Sequence, residues 1–200
     1  MSDAGQFSAM PVFEPLKVHC SDSYCEAGLH CFSPNRRKRG WEKNYAGECQ
    51  TCGKQLVDWT RVRARNLTNV KGTFEELGRE YIRHVFFHAR FDEQSKAEAR
   101  QLGLAALKGR VRILLEKKIG KAKIFRDGTQ TKKEGSALFY AQHATATCCR
   151  KCLEYWHGIE RGRELTPEEL TYCEGLVIAY LEARWEELLA DDGNASRHTN

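Results

Sequence analysis

The sequence predicts a mostly helical α+β protein, in which a small zinc-ribbon-like or treble-clef-like module precedes a helical domain with a few short strands. Two observations predict this fold class. Five of the nine cysteines lie in the first 52 residues, where the sequence is polar and too short to bury them unaided. The rest of the chain carries helix start signals, each followed by apolar residues at helical spacing.

Composition and spacing divide the chain into four parts. We expect a flexible arm over 1–16, a zinc-ribbon-like module over 17–60, a helical domain with a central Cys/His motif over 61–190, and a flexible tail over 191–200. The sequence has no apolar run long enough to span a bilayer and no features of a signal peptide at its start, so we expect a cytoplasmic protein without membrane contacts. In that compartment, nine cysteines indicate metal ligands, core thiols or catalytic groups rather than disulfides.

The front module contains a C-x2-C-G knuckle formed by Cys49, Cys52 and Gly53. The glycine allows the backbone to turn so that N–H groups face the sulfurs and both thiols converge on one ion. We expect one structural zinc, held by four of the following five residues: Cys20, Cys25, Cys31, Cys49 and Cys52. One upstream cysteine is then spare, or His19 or His30 takes the place of a thiolate. Such a closed shell contributes folding energy rather than chemistry.

The helical domain is predicted from start signals and apolar spacing. Three helices are expected: one over 73–88, one over 93–119 and one over 166–189. Gly103 and Gly109 weaken the second helix, so we expect a break near one of them. Thr166, followed by proline and two glutamates, is a strong start for the third helix. The segment 56–59 is expected to be a strand that leaves the knuckle.

The apolar run at 136–142 has the length of a buried strand and leads into a cysteine-rich motif. Thr147 is placed to cap a helix that begins at the cysteines. This arrangement would bring Cys148, Cys149 and Cys152 to a helix N-terminus. The helix dipole and the unpaired N–H groups there favour the thiolate, which is the form that binds metal or attacks carbon.

Three interpretations of this motif remain open. The first is a second zinc site, for which the candidate ligands are Cys149, Cys152, His157 and His88, with His143 as an alternative histidine. The second is a thiolate nucleophile, for which the candidate catalytic residues are His88, His143, Cys148, Cys149 and Arg150. The third is that the cysteines pack in the core. A nucleic-acid deaminase is disfavoured because the H-x-E motif of those enzymes is absent.

From residue 59 onwards the chain resembles an uncharacterised bacterial and phage family, domain of unknown function 4186. The motifs that carry the resemblance are Phe87-His88 and the Ala-Thr-Cys-Cys-Arg run over 146–150. The cysteine-rich front half resembles an extension of that family. The resemblance implies no activity, but it implies that His88 is a neighbour of the Cys-Cys motif.

The net charge of +5 permits nucleic-acid binding without demanding it. The candidate contacts to nucleic acid are Arg36, Arg37, Lys38, Arg39, Arg61, Arg63 and Arg65. We therefore expect a zinc-binding protein that binds or acts on DNA or RNA. One alternative is a metal- or thiol-dependent enzyme that uses the motif at 143–157 on a small substrate. Another is a phage or mobile-element accessory protein that acts through protein contacts.

Overall fold

The computed structural model describes residues 14–35, 45–123 and 129–190, and these residues are mostly helical. The helices in chain order are α1 (Trp59–Arg63), α2 (Val70–Leu77), α3 (Tyr81–His88), α4 (Glu93–Leu115), α5 (Ala137–Ala144), α6 (Arg150–His157), α7 (Pro167–Ala183) and α8 (Trp185–Leu189). Helix α4 continues into a π-helical turn over Glu116–Gly120, and short 3-10 turns lie at Pro15–Lys17, Cys25–Ala27 and Leu67–Asn69. The predicted tail and residues 1–13 of the predicted arm lie outside the described residues.

The front module contains no β-ladder among its described residues, so the short strands predicted there are wrong. The backbone makes only isolated bridges in this region, one antiparallel between Tyr24 and Leu29 and one parallel between His30 and Glu80. The second bridge attaches the module to the start of α3, since the Tyr81 N–H donates to the His30 carbonyl at 2.8 Å. The module is therefore a set of turns docked on the helices.

Two further segments predicted as strands are not extended. Residues 56–58 are irregular, and the carboxylate of Asp58 caps α1 by accepting a hydrogen bond from the backbone. Residues 137–144 form α5, which begins where the Ser136 side chain accepts a hydrogen bond from the Leu138 N–H. Almost every residue of α5 is buried. A helix that is apolar on all sides shows no 3.6-residue alternation, so its apolar run resembles that of a buried strand.

The remaining helix predictions hold in their main features, with one exception. The single helix predicted over 73–88 is two helices, because the chain turns between Leu77 and Tyr81. The predicted break in the following helix is confirmed at Gly103, where φ is +72°. The capping box at Thr166 is also confirmed, since Thr166 and Glu169 each bond the other's backbone.

The buried side chains form two cores. The first core lies between α3, α4, α5 and α7, and its largest members include Phe86, Leu107, Tyr140 and Tyr180. The second core combines the front module with α1, α2 and α6; its members are Phe32, Cys49, Val62, Leu77, Ala146, Cys148, Cys149, Cys152, Tyr155 and Trp156. Both groups of cysteines described below border or belong to this second core. Across the described residues, no helix combines the length and apolar character needed to cross a membrane.

Candidate metal centres

The first candidate centre, which we call site 1, consists of Cys25, His30, Cys49 and Cys52. One ligand atom from each residue lies within 4.8 Å of all the others. The Cys25 and Cys49 sulfurs are 3.8 Å apart, and the Cys52 sulfur lies 3.5 Å from Nδ1 of His30. Tetrahedral zinc, with Zn–S near 2.3 Å and Zn–N near 2.0–2.1 Å, separates two sulfurs by about 3.8 Å and a sulfur from a nitrogen by about 3.5 Å. Site 1 could therefore hold a tetrahedral metal ion.

The knuckle that supplies two of these ligands is built by its own backbone. The Gly53 N–H donates to the Cys49 carbonyl, and the Cys49 N–H donates to the Lys54 carbonyl, both at 2.9 Å. Gly53 has φ of +73°, a conformation that residues with a Cβ rarely adopt. The turn places Cys52 on the surface while Cys49 is buried. This part of the site follows from local sequence.

The two other ligands reach site 1 through the docked turns. Cys25 opens a 3-10 turn that ends at Gly28, which has φ of +75°. His30 is fixed by its bridge to Glu80, because the His30 N–H donates to the Arg79 carbonyl at 2.8 Å. His30 is thus the fourth candidate ligand beside three thiols, and its position depends on its contact with the start of α3.

Burial and hydrogen bonding give two thiols of site 1, Cys49 and Cys25, different pKa values. Burial raises the pKa of Cys49, but backbone N–H donors near Cys52 and Cys31 outweigh it and lower that pKa to about 6. Burial and hydrogen bonds with Cys52 and Cys49 raise the pKa of Cys25 to about 11. Cys49 therefore loses its proton at a lower pH than Cys25 does, and thiol ligands that are still protonated must lose their protons when a metal binds.

The structure brings together three of the five cysteines predicted for a front zinc site and leaves two aside. Cys31 is buried, and its thiol donates to the Cys20 carbonyl at 3.0 Å. Cys20 lies next to Gln130, away from the knuckle. His19, the other histidine considered as a substitute, is exposed and paired with Asp22.

A second group of thiols, which we call the thiol cluster, consists of Cys148, Cys149 and Cys152. The Cys152 sulfur lies 3.6 Å from each of the other two, and all three residues are at most 3% exposed. Cys149 is the N-cap of α6 and Cys152 lies in its first turn. Thr147 lies two residues before this N-cap, so the prediction that Thr147 caps the helix is wrong. The cluster could hold a metal ion.

Arg83 contacts this cluster from α3, and no local sequence signal points to it. Its guanidinium is fully buried and donates from Nη2 to the Cys152 sulfur at 3.0 Å. Nε of the same guanidinium pairs with Glu80 at 3.0 Å. The Glu80 carboxylate also accepts hydrogen bonds from the Tyr155 hydroxyl at 3.0 Å and from Nε1 of Trp156 at 2.8 Å. Burial raises the pKa of Glu80, while Arg83 and these donors oppose the rise.

The charge of Arg83 and the neighbouring thiols favour a thiolate within the cluster. Hydrogen bonds from Cys148 and Cys149 are the main causes that hold the pKa of Cys152 well below its usual range, and Arg83 adds to them. A hydrogen bond with Cys148, followed by the one with Cys152, raises the pKa of Cys149. These contacts favour the thiolate at Cys152 over the thiolate at Cys149.

The predicted histidines do not join the thiol cluster. His157 is buried with Nδ1 at 3.1 Å from the Tyr172 hydroxyl and Nε2 at 2.9 Å from the Thr145 carbonyl. His143 stacks on Phe86 with ring centroids 4.5 Å apart. Burial is the first cause that lowers the pKa of each ring to about 4. Both side chains therefore have the surroundings of neutral core histidines.

The other two candidates for catalysis also lie outside the cluster. His88 is exposed near the end of α3, and its Nδ1 lies 2.8 Å from the His84 carbonyl. Arg150 is buried and donates to the backbone carbonyls of Ile119 at 2.9 Å and Arg163 at 3.0 Å. Its described contacts tie α6 to the loops around it.

The arginines near α1, which were predicted to contact nucleic acid, are engaged within the protein. Their partners are Glu76 for Arg61, the Trp59 ring and the Tyr155 carbonyl for Arg63, and Glu169 for Arg65. These contacts join α1 and the residues just after it to α2, α6 and α7. Residues 36–39, the other predicted basic contacts, lie outside the described residues.

The fold and these two clusters define a mostly helical protein with two groups of side chains that could each hold a metal ion. Residues 71–182, more than half of the chain, match the model of the family described as Domain of unknown function (DUF4186). The chain belongs to this family. The thiol cluster, Arg83 and Glu80 lie inside the matched span, whereas site 1 lies before it. No solved structure matches the chain.

Proposed function

We propose that the protein is a zinc-dependent nucleic-acid-binding protein, in which zinc at site 1 is bound by residues on both sides of a basic run in the sequence. The observation that carries the zinc assignment is the pair of separations in site 1, 3.8 Å between sulfurs and 3.5 Å between sulfur and imidazole nitrogen. These are the edge lengths of a tetrahedral zinc shell. Four protein ligands leave no open position, so the zinc stabilises structure and performs no chemistry.

The proposed nucleic-acid contact follows from a basic run that lies in the sequence between two of the site 1 ligands. His30 and Cys49 enclose the run Arg-Arg-Lys-Arg at 36–39. A metal bound by both residues would link the chain on either side of this run, so loss of the metal should weaken any binding that uses these charges. Concentrated Lys and Arg charges bind phosphates and release counterions, which supplies most of the affinity of non-specific complexes.

A polar cleft beside the start of this segment supports the same contact. The cleft has a volume of about 700 Å³. Its lining includes Ser33, Asn35, Thr51 and the exposed Lys151. Hydroxyl, amide and ammonium groups are the side chains that commonly contact phosphate and sugar. The arginines of α1 are not part of this proposal, because their described contacts are internal.

The enzyme alternative has weaker support. A nucleophile at Cys148 or Cys149 needs contact with substrate, yet both residues are at most 3% exposed. The histidine nearest in sequence, His143, is also buried, and its Nε2 faces backbone carbonyls at 3.1–3.2 Å. These surroundings suit packing or a closed metal shell better than catalysis.

Binding of labelled single-stranded and duplex oligonucleotides, followed by fluorescence anisotropy over a series of salt concentrations, tests the proposal. The test variant replaces Arg36, Arg37, Lys38 and Arg39 with alanine. The matched control removes the same charge from exposed lysines at the end of α4 and just beyond it: Lys117, Lys118, Lys121 and Lys123. If all four basic residues of the test variant contact phosphates, the slope of log affinity against log salt falls by about 3–4 for duplex DNA.

The expected result is that the test variant loses most of the affinity and that the control keeps it. The Cys52→Ser variant should also lose affinity, because it removes an exposed zinc ligand without changing the basic segment. Wild-type affinity that does not depend on salt, or an equal loss in test variant and control, would contradict the proposed contact.

A further inference from the structure

We propose that Cys20 joins Cys148, Cys149 and Cys152 to form a second, four-thiolate zinc centre that fastens the front segment to α6. This inference goes beyond the proposed function and does not depend on it. The centre differs from the one expected from sequence, because its fourth ligand is a distant cysteine from the front module rather than a histidine.

The three sulfurs of the thiol cluster already have the spacing of metal ligands. The separations of 3.6 Å from Cys152 to Cys148 and to Cys149 are close to the edge of about 3.8 Å in a tetrahedral ZnS4 shell. They are also far longer than the S–S bond of about 2.05 Å in a disulfide. Three buried thiols at this spacing fill three corners of a tetrahedron.

Cys20 lies at the open side of the cluster. Nε2 of Gln130 donates to the Cys20 sulfur at 2.9 Å and lies 3.6 Å from the sulfur of Cys148 and 3.8 Å from that of Cys152. A single amide nitrogen thus faces three sulfurs from two distant parts of the chain. The Cys20 sulfur is not among the three that lie within 4.8 Å of one another, but this shared contact with Gln130 places it beside them, as a fourth ligand requires.

The surroundings suit thiolates rather than packed thiols. Arg83 is fully buried with Nη2 at 3.0 Å from the Cys152 sulfur and Nη1 at 3.8 Å from the Cys148 sulfur. Glu80 balances the charge of this guanidinium and the His143 carbonyl accepts from Nη1 at 2.6 Å, yet Nη2 is still directed at a sulfur. Hydrogen-bond donors that point at sulfur orient metal ligands and reduce the negative charge on the sulfurs. Thiols that are only packed in an apolar core need no such donors.

Zinc is the metal we assign to this centre. A tetrahedral set of four thiolates suits zinc, and also iron in iron–sulfur sites, better than it suits ions that prefer oxygen ligands. Four thiolates leave no open position, so this ion is structural. It also joins Cys20, which lies before the family-matched span, to three cysteines inside that span.

Elemental analysis of the purified full-length protein and of four cysteine variants tests the proposal. Cys20→Ser removes the proposed fourth ligand, and Cys31→Ser is its matched control, a neighbouring thiol outside both groups. Cys52→Ser disables site 1, and Cys149→Ser disables the second centre. Each protein is also loaded with cobalt, because the thiolate-to-cobalt absorption intensity reports the number of sulfur ligands.

We expect two zinc ions in the wild-type protein and one each in Cys52→Ser and Cys149→Ser. The cobalt absorption should correspond to seven thiolates, three from site 1 and four from the second centre, and to six in Cys20→Ser. Cys20→Ser should release one zinc at a chelator concentration at least about tenfold lower than wild type, because loss of a partner at a metal site weakens binding by such factors. Cys31→Ser should behave as wild type.

Each contrary result has a definite meaning. A single zinc that disappears in Cys52→Ser refutes the second centre and leaves the proposed function intact. A single zinc that persists in Cys52→Ser and disappears in Cys149→Ser supports the second centre and refutes zinc at site 1. Two zinc ions, with Cys20→Ser matching Cys31→Ser in both measurements, refute the role of Cys20. Iron in place of zinc refutes the metal assignment.

Discussion

Replacing Glu80 with glutamine is expected to lower the free energy of unfolding by about 3–5 kcal/mol, the usual cost of removing one partner from a buried ion pair. The Glu80 carboxylate is fully buried and pairs with Nε of Arg83 at 3.0 Å. It also accepts hydrogen bonds from Nε1 of Trp156 at 2.8 Å and from the Tyr155 hydroxyl at 3.0 Å. Glutamine removes the negative charge that offsets the Arg83 guanidinium. Its NH2 group would also face the Arg83 and Trp156 N–H groups, which can only donate hydrogen bonds, and the Tyr155 hydroxyl, which donates one to the carboxylate.

The assay is urea unfolding of the zinc-loaded protein at a fixed zinc concentration. With a urea dependence of about 1–3 kcal/mol per M, a loss of 3–5 kcal/mol moves the midpoint down by roughly 2 M. The control is Glu116→Gln, which breaks an exposed i,i+4 pair with Arg112 at 3.2 Å. That pair should contribute at most about 0.5 kcal/mol.

A second variant separates the ion pair from the hydrogen bonds. Adding Arg83→Met to Glu80→Gln removes the unpaired cation, so the double variant should lose less stability than the two single losses added together. The reasoning fails if Glu80→Gln lowers the free energy of unfolding by no more than Glu116→Gln does. It also fails if the losses of the two single variants simply add.

Two further predictions follow from buried groups and tight turns. The folded-state pKa values of His143 and His157, about 4, lie below the ordinary value of 6.5, so the unfolded chain takes up these protons first as the pH falls. Stability should therefore fall by about 3 kcal/mol per ring between pH 6.5 and 4, and an NMR titration should find both rings neutral at pH 5.5 to 6 or so. Gly47→Ala should destabilise the protein in thermal unfolding, because its φ is +91° and a Cβ would meet the Trp59 ring. Gly109→Ala, in open space on α4, should instead stabilise it by up to about 1 kcal/mol.

Features that depend on a few neighbouring residues were predictable from the sequence. The Cys49–Gly53 knuckle turns as expected, because its glycine and backbone hydrogen bonds act within five residues. The capping box at Thr166 and the break at Gly103 follow for the same reason, since capping and positive φ are local properties. Whether zinc occupies the knuckle remains a prediction.

Buried helices were harder to predict than exposed ones. The run at 136–142 was predicted as a strand because apolar composition and length are all that a fully buried segment shows. Its helical state depends on packing against α3, α4 and α7. Likewise, the split of the helix predicted over 73–88 depends on the bridge between His30 and Glu80, which joins residues fifty positions apart.

The sequence by itself determined that cysteines would gather in two groups, one at the knuckle and one near the start of α6, because ligand spacing within each group is short. Only the tertiary structure decided how each group is completed. It brings His30 to the knuckle, and it places Arg83 and Gln130 against the second group, with Gln130 also donating to the Cys20 sulfur. The physical reason is that these contacts depend on how the front turns dock on α3 and α6, and a docking geometry leaves no periodic pattern in the chain.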